Sequence, residues 1–470
     1  MNDGKGYKKH PSTSISSNNE FEVSFTGLTS GHVYNYRAYI DDGTGSYGVE
    51  KNFTTLPPAS YTATINPTTI ENHSVAVSFT LTDRLKEWGV YYSETDVTIN
   101  DPVKKESQED FVVLTELKKN TTYNILPYII DKDDKIIHLE KIIFKTTVGL
   151  DITNKKDLIS ICYTTWFTRI HGLGTAEPNP RNISEILAGR QEWGSVGQFH
   201  YWSKPALGYY RSHDKEVIRQ HMTWLAEAKV DFIIIDNTNA SVGWAETNDW
   251  NLYISIPCTA ILDVMKEMRQ EGKDVPYLVF WSKIPVMDKT YNEFYANGKY
   301  KDSFVYWDGK PLILSTTEIN NAPQAFTVRH MWGLKQNPKV QQWSFLNVKN
   351  IPSYDTKGNV EQMAVCTAAQ ETYMTEPTAH GRNNGNFFYE QWKRAFEHRP
   401  KVITLTWWNE WTAQRFLDDN GNSRFVDNYT QEYSRDIEPM EGGHGDLYYQ
   451  WMKQYISAYK NEESCPKLVE

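Results

Sequence analysis

Cysteine is scarce: 470 residues hold four, at Cys162, Cys258, Cys366 and Cys465. They form no CxxC pair and no Cys/His spacing of the zinc type, which excludes a recognisable zinc module and a disulfide framework. Cys162 and Cys366 fall in apolar, strand-like runs and read as buried thiols. No apolar run reaches spanning length, so no transmembrane helix is expected. The amino terminus lacks the pattern of a secretory signal peptide. Up to about residue 20 it is polar and rich in Ser and Asn, and reads as a disordered or linker segment. Positive charge is in deficit: 49 Lys and Arg against 59 Asp and Glu, a net charge of -10. That balance argues against nucleic acid or an anionic membrane as the main partner. No cofactor and no metal is expected.

Aromatic side chains are plentiful, 14% of the chain with 16 Trp and 29 Tyr. Such a surface suits a flat-faced ligand. The length predicts two or three domains, and 39% hydrophobic residues suffice for their cores.

After the opening segment comes an all-β pattern. FEVSFTGL from Phe21, HVYNYRAYI from His32 and VEKNFTTL from Val49 are separated by turn residues at Thr29-Ser30-Gly31 and Asp41-Asp42-Gly43. Only about three strands fit before Pro57-Pro58, fewer than a sandwich needs. The pattern then recurs: FVVLTELKKNTTYNILPYIIDKDDKIIHLEKIIFKTT, Phe111 to Thr147, repeats the Leu-x-x-x-x-x-Tyr spacing, the aromatic strand and the closing Phe-x-Thr. SYTATINP, SVAVSFTLTD and KEWGVYYSE precede it. The expected division is a partial module over 1–57, resembling the carboxyl-terminal half of a sandwich, and a whole sandwich over 58–149. GLTSGHVYNYRAY resembles the tyrosine-corner stretch of fibronectin type III domains, with Tyr34 or Tyr36 at the corner and Tyr123 as counterpart. The resemblance implies spacer or docking modules.

From about Leu150 strands alternate with helices. Candidate strands begin at Leu158, Asp231, Tyr277, Pro311, Ala325, Val340, Gln362 and Val402. EVIRQHMTWLAEAK, TAILDVMKEMRQEGK and NFFYEQWKRAFEHRP carry helical apolar spacing. Eight strands over about 300 residues predict a (β/α)8 barrel, a TIM barrel, over 150–470. A doubly wound sheet is the alternative, but the Gly-rich phosphate turn after its first strand is missing.

In a barrel the site lies at the carboxyl ends of the strands. The stretch KVITLTWWNEWTAQRF, from Lys401, puts Glu410 there among Trp407, Trp408 and Trp411. Burying a carboxylate costs several kcal/mol unless it is paired, so its placement calls for a reason. Indoles stack on sugar rings, and a carboxylate among them can be tuned for proton transfer or attack. A structural Glu with packing indoles is the alternative. Asp236, ending the second strand, is the candidate partner for Glu410, as a catalytic group or as a hydroxyl ligand. Two carboxylates flanking a glycosidic bond are the minimum for its hydrolysis. The same rim offers Trp166, with Arg169 and His171 in its loop, then Asn237, Asn239, Trp281, Arg329 with His330, Trp332, Gln370 with Glu371, and Asn409, as substrate-binding candidates. QFHYWSKPALGYYRS adds His200, Tyr201, Trp202 and Tyr210, an aromatic wall or a packed loop. His221 reads as structural. DDNGNSRF, from Asp418, reads as a hairpin rather than a calcium loop. EYSRDIEPMEGGHGD, from Glu432, is a constrained loop that either closes the site or is salt-bridged structure.

WWNEW, with GYYRSHDKEVIRQHMTWLAEAKVDFIIIDNTN, resembles the glycoside hydrolase family 71 and 99 group of barrels, over about 155 to 460, and uncharacterised bacterial relatives most nearly. In family 99 endo-mannosidases the last strand is followed by Asn-Glu-Trp-His-Glu. The first Glu matches Glu410, while the second, the family's general acid, falls on Ala413. The expectation is a monomeric, secreted bacterial glycoside hydrolase, endo-acting on a polysaccharide or glycan, outside the cell or in the periplasm. A non-catalytic glycan-binding barrel is the alternative.

Overall fold

A computed structural model describes residues 20–469 apart from 41–44, 57–59, 67–68, 72, 82–84, 98–103, 108, 242, 244–246, 319–322, 335–337, 376–377 and 428. The opening linker, the Asp41-Asp42-Gly43 turn and the Pro57-Pro58 boundary fall outside the described residues. The chain divides into two compact units. One takes in the residues up to 145 except 71–73 and 117–120; the other takes those two short stretches and everything from Thr146.

The first unit is antiparallel throughout. Tyr61–Ile65, Val75–Leu81 and Phe111–Leu114 form a three-stranded sheet. Glu87–Ser93, Lys104–Ser107, Thr122–Ile130, Ile136–His138 and Ile142–Lys145 form one of five strands. Period-two burial is visible along Val75, Val77 and Phe79, as a half-buried strand requires. The internal repeat of the sequence is also a repeat of geometry. Tyr34 stands opposite Phe53 in one antiparallel pair and Tyr123 opposite Phe144 in another. Their rings stack at 5.9 and 5.8 Å. Thr29 N–H donates to the Tyr34 hydroxyl at 2.9 Å, so Tyr34 rather than Tyr36 makes the corner bond.

The second unit contains all eight anticipated strands: Leu158–Tyr163, Phe232–Asn237, Tyr277–Ser282, Lys310–Ser315, Thr327–Met331, Gln342–Trp343, Val360–Cys366 and Val402–Thr406. Parallel ladders join each of the first five to the next, and the seventh to the eighth. The eighth pairs back to the first, Leu158 with Val402 and Ile161 with Leu405. Between the sixth and seventh no ladder forms among the described residues. Gln362 bridges that seam instead: its side chain accepts from Ser344 N–H at 3.0 Å and donates to Ser344 C=O at 2.8 Å.

These strands read as continuous apolar runs because both faces are covered. Ile159, Ile161, Ile233, Ile235, Ile403 and Leu405 pack outward, in one core with Met222, Leu225, Met265, Trp392 and Met452 of the helices. Leu158, Cys162, Ile234, Val279, Leu314 and Val402 pack inward. Each such side chain contributes about 1.5–3 kcal/mol on burial.

The expected alternation of strand and helix holds only in part. Long helices are Lys215–Glu227, Ile256–Gln270, Asn386–His398 and Leu447–Lys460. From the fourth strand to the seventh no helix occurs among the described residues. The stretch from Trp332 to Asn359 lacks helical periodicity and is interrupted by Pro338 and Pro352. The segment from Asp418 is a hairpin, as read from sequence: Thr412–Leu417 pairs antiparallel with Ser423–Val426, around Gly421 at φ +81°.

Candidate functional site

Strand alternation decides what reaches the mouth of the ring. Phe232, Ile234 and Asp236 share the inward face of the second strand, so Asp236 follows two core residues to the carboxyl end. It is buried, and its carboxylate accepts from Thr238 N–H at 2.9 Å. Burial raises its pKa from 3.8 to about 6, against the bond to Thr238. Glu410 enters from the loop after the eighth strand. The buried Cys162 thiol feels both carboxylates.

Glu410 is itself buried, and burial drives its carboxyl well above the usual range, opposed by Arg435. Arg435 donates to it at 2.5 Å, to Gln370 Oε1 at 2.7 Å and to Asp427 Oδ1 at 3.2 Å. Gln370 Nε2 donates to the same Asp427 oxygen at 3.2 Å. Asp427 acts electrostatically on both Asp236 and Glu410. Its side chain is 31% exposed where that of Arg435 is 1%, so it is the group of this set open to solvent. Two carboxylates, Glu410 and Asp427, therefore share one buried guanidinium, and Asp427, which also acts on Asp236, was not among those read from sequence. It follows the hairpin strand Ser423–Val426 at φ +66°, and only the fold returns that strand to the eighth.

Behind Glu410 lies a layer of buried acids from the loop begun at Glu432. Asp436 accepts from the Glu410 N–H and, at 2.6 Å, from Trp202 Nε1. Burial raises it from 3.8 to about 7. Glu438 accepts from Trp411 Nε1 at 2.6 Å, Tyr210 Oη at 2.7 Å and His221 Nε2 at 2.9 Å. With its Nε2 proton on Glu438, His221 accepts at Nδ1 from Tyr163 Oη at 2.8 Å. His221 is structural, as read.

The remaining candidates divide by what their polar atoms meet. Asn409 is held on Thr164, accepting from its N–H at 2.8 Å and donating to its C=O, and reaches Tyr210 Oη at 3.3 Å. Gln370 joins the carboxylate cluster. Trp281, Trp407 and Phe345 cluster inside the ring, with half-buried Trp332 on the Trp281 edge at 6.0 Å. Trp166 is buried beside Phe199, and Asn239 is exposed. Asn237 points outward and donates to Ser282 Oγ at 2.8 Å. Arg329 forks onto Glu361 at 2.8 and 3.2 Å and covers Trp307, so its charge is satisfied away from Glu410.

The aromatic wall is a packed one. Trp202 and Trp411 stack at 4.7 Å, fully buried. Tyr201 bonds His171 at 2.8 Å, and His200 lies against Trp193 and Phe425. Trp408 faces the helices, beside His221, Trp224 and Tyr449. An indole packing a core has the same sequence signature as one lining a surface. Ala413 is buried on Thr412–Leu417, opposite His200.

The raised Asp236 pKa gives a linkage prediction. Below pH 3.8 the carboxyl is protonated folded or unfolded; as pH rises the unfolded chain loses the proton first, and the fold loses stability until about pH 6. A shift of about 2 units corresponds to about 3 kcal/mol. The stability of Asp236→Asn relative to wild type is therefore expected to climb by about this much between pH 4 and 7 in denaturant titrations. A flat difference would show that Asp236 ionises freely.

No protein-family model matches this chain, and no curated protein does. Among solved structures, the GH99 endo-alpha-mannosidase from Bacteroides thetaiotaomicron is 14% identical, covering 66% of this chain and 99% of its own, at a TM-score of 0.42. Its complex with bis-tris-propane gives 13% and 0.43 over the same shares. The fibronectin type-III domain of human fibronectin type III domain containing protein 3 is 12% identical over 19% of this chain and 84% of its own, at a TM-score of 0.16.

Proposed function

We propose that this chain is a glycoside hydrolase of the (β/α)8 kind, acting on a polysaccharide or glycan outside the cytoplasm. The observation that carries the reading is the placing of Asp236 and Glu410 after the second and eighth strands, each acted on by Asp427, with Arg435 paired to Glu410 and Asp427. Hydrolysis needs one carboxyl that holds a proton for the leaving oxygen and one carboxylate that attacks or activates water. Burial keeps Asp236 protonated up to about pH 6, which suits it as the acid. The ionised role is assigned to Glu410 on its ion pair with Arg435, which opposes the upward push of burial, with Asp427 at the solvent side.

Ala413 favours a second reading, a barrel that binds glycan without cutting it. The position where the resembling family carries its acid is here an alanine, buried on a strand opposite His200.

A panel of neutral and acidic polysaccharides, assayed for new reducing ends, separates the two. Wild type is expected to release product, and Asp236→Asn and Glu410→Gln to lose at least about 10²-fold in turnover. Unchanged turnover in either variant removes that residue from the chemistry. Saturable binding with no product establishes the second reading.

A further inference from the structure

A cavity of about 180 Å³ opens beside the buried acid layer, its wall including Arg382, His444, Tyr448, Trp451, Gln431 and the carboxylate of Glu432, which is engaged by Asn383 N–H at 2.8 Å. Arg382 is 2% exposed. It donates only to neutral acceptors: Gln431 C=O at 3.0 Å, Ser434 Oγ at 2.7 Å and Asp436 C=O at 2.6 Å. Its Nη1 has no hydrogen-bond partner. Among the described residues Arg382 forms no ion pair, while its guanidinium covers the Tyr448 ring at 4.2 Å. Burial lowers its pKa despite nearby Tyr448, Asp436 and Glu432, so this positive charge is under-compensated. A buried guanidinium in that position attracts an anion.

Three further features converge on the cavity. Both His444 ring nitrogens are covered and lack partners. Burial holds that ring at about 3, hence neutral, with one donor and one acceptor to offer. The 14-residue helix Leu447–Lys460 begins at the cavity, and its N-cap side chain, Asp446, makes no capping bond. Its first-turn amides add partial positive charge. Trp451 supplies a half-buried indole, set edge to face on Tyr448 at 5.0 Å. It lies so close to Gly385 that a Cβ there would meet the ring at 2.2 Å.

We propose that this cavity is a binding site for one anionic sugar ring, a uronate or a sulfated monosaccharide, separate from the carboxylate cluster. The anionic group sits on Arg382 Nη1 and the helix amides, His444 takes a hydroxyl, and the ring lies against Trp451. The volume is enough for one ring.

Isothermal titration of the whole chain with D-glucuronate, glucose 6-sulfate, D-glucose and acetate tests this. At least one anionic sugar is expected to bind saturably, about tenfold or more tighter than glucose and than acetate. His444→Ala and Trp451→Ala, with Trp451→Phe as the milder second variant, are expected to weaken it by about tenfold while the circular dichroism stays that of wild type. Asp236→Asn is expected to bind as wild type does, so a failure of the hydrolase reading leaves this result untouched. No saturable binding of either anionic sugar, equal binding of glucose, or binding indifferent to all three cavity variants overturns the proposal.

Discussion

Arg435→Met is expected to lower folding stability by about 3–5 kcal/mol, read as a fall in the denaturant midpoint with an unchanged slope. The guanidinium is 1% exposed and serves Glu410, Gln370 and Asp427 together. Removing it leaves the Glu410 carboxylate buried without its counter-charge. The expected cost is chiefly that uncompensated charge, not the worth of the contact. Converting Glu410 to Gln in the same chain should therefore recover a large part of the loss. Additive losses in the double variant would mean that the two groups do not depend on one another.

Glu438→Ala is expected to be comparably severe, about 3–6 kcal/mol. It strands three buried donors at once, Trp411 Nε1, Tyr210 Oη and His221 Nε2. Each orphaned donor costs about 1–3 kcal/mol, and the void adds to this. Glu438→Gln, which keeps one acceptor oxygen, should fall between alanine and wild type. The effect reaches the site as well, because Tyr210 also touches Asn409, next to Glu410. A melting temperature within a degree or two of wild type for the alanine variant would show that water takes over these donors.

Much of this frame was legible in the chain. The eight strands announced themselves because residues such as Phe232 to Ile235 are apolar without a break, which a strand covered on both faces requires. Asp236 and Glu410 were legible for a related reason: each is a charge placed where an apolar run ends. Asp427 was not, since its local pattern speaks only of a hairpin, and its neighbour Gln370 comes from a loop 57 residues earlier. Nor were the roles of the tryptophans. Trp202 and Trp411 stack in a dry interior and donate to Asp436 and Glu438, acids that no spacing rule ties to them. The missing helices after the fourth strand were half legible, in the prolines of a stretch without periodicity.

The contact between Gln362 and Ser344 carries one more consequence. Everywhere else around the ring, neighbouring strands are fixed by rows of amide pairs, so their spacing cannot change without many bonds failing together. At this one joint side chains take over: Gln362 grips Ser344, and Trp343 and Arg329 both donate to Glu361. Substitutions at Glu361 or Gln362 would thus loosen this joint without breaking a ladder, while Asp236 and the loop bearing Glu410 hang on strands laddered through the first.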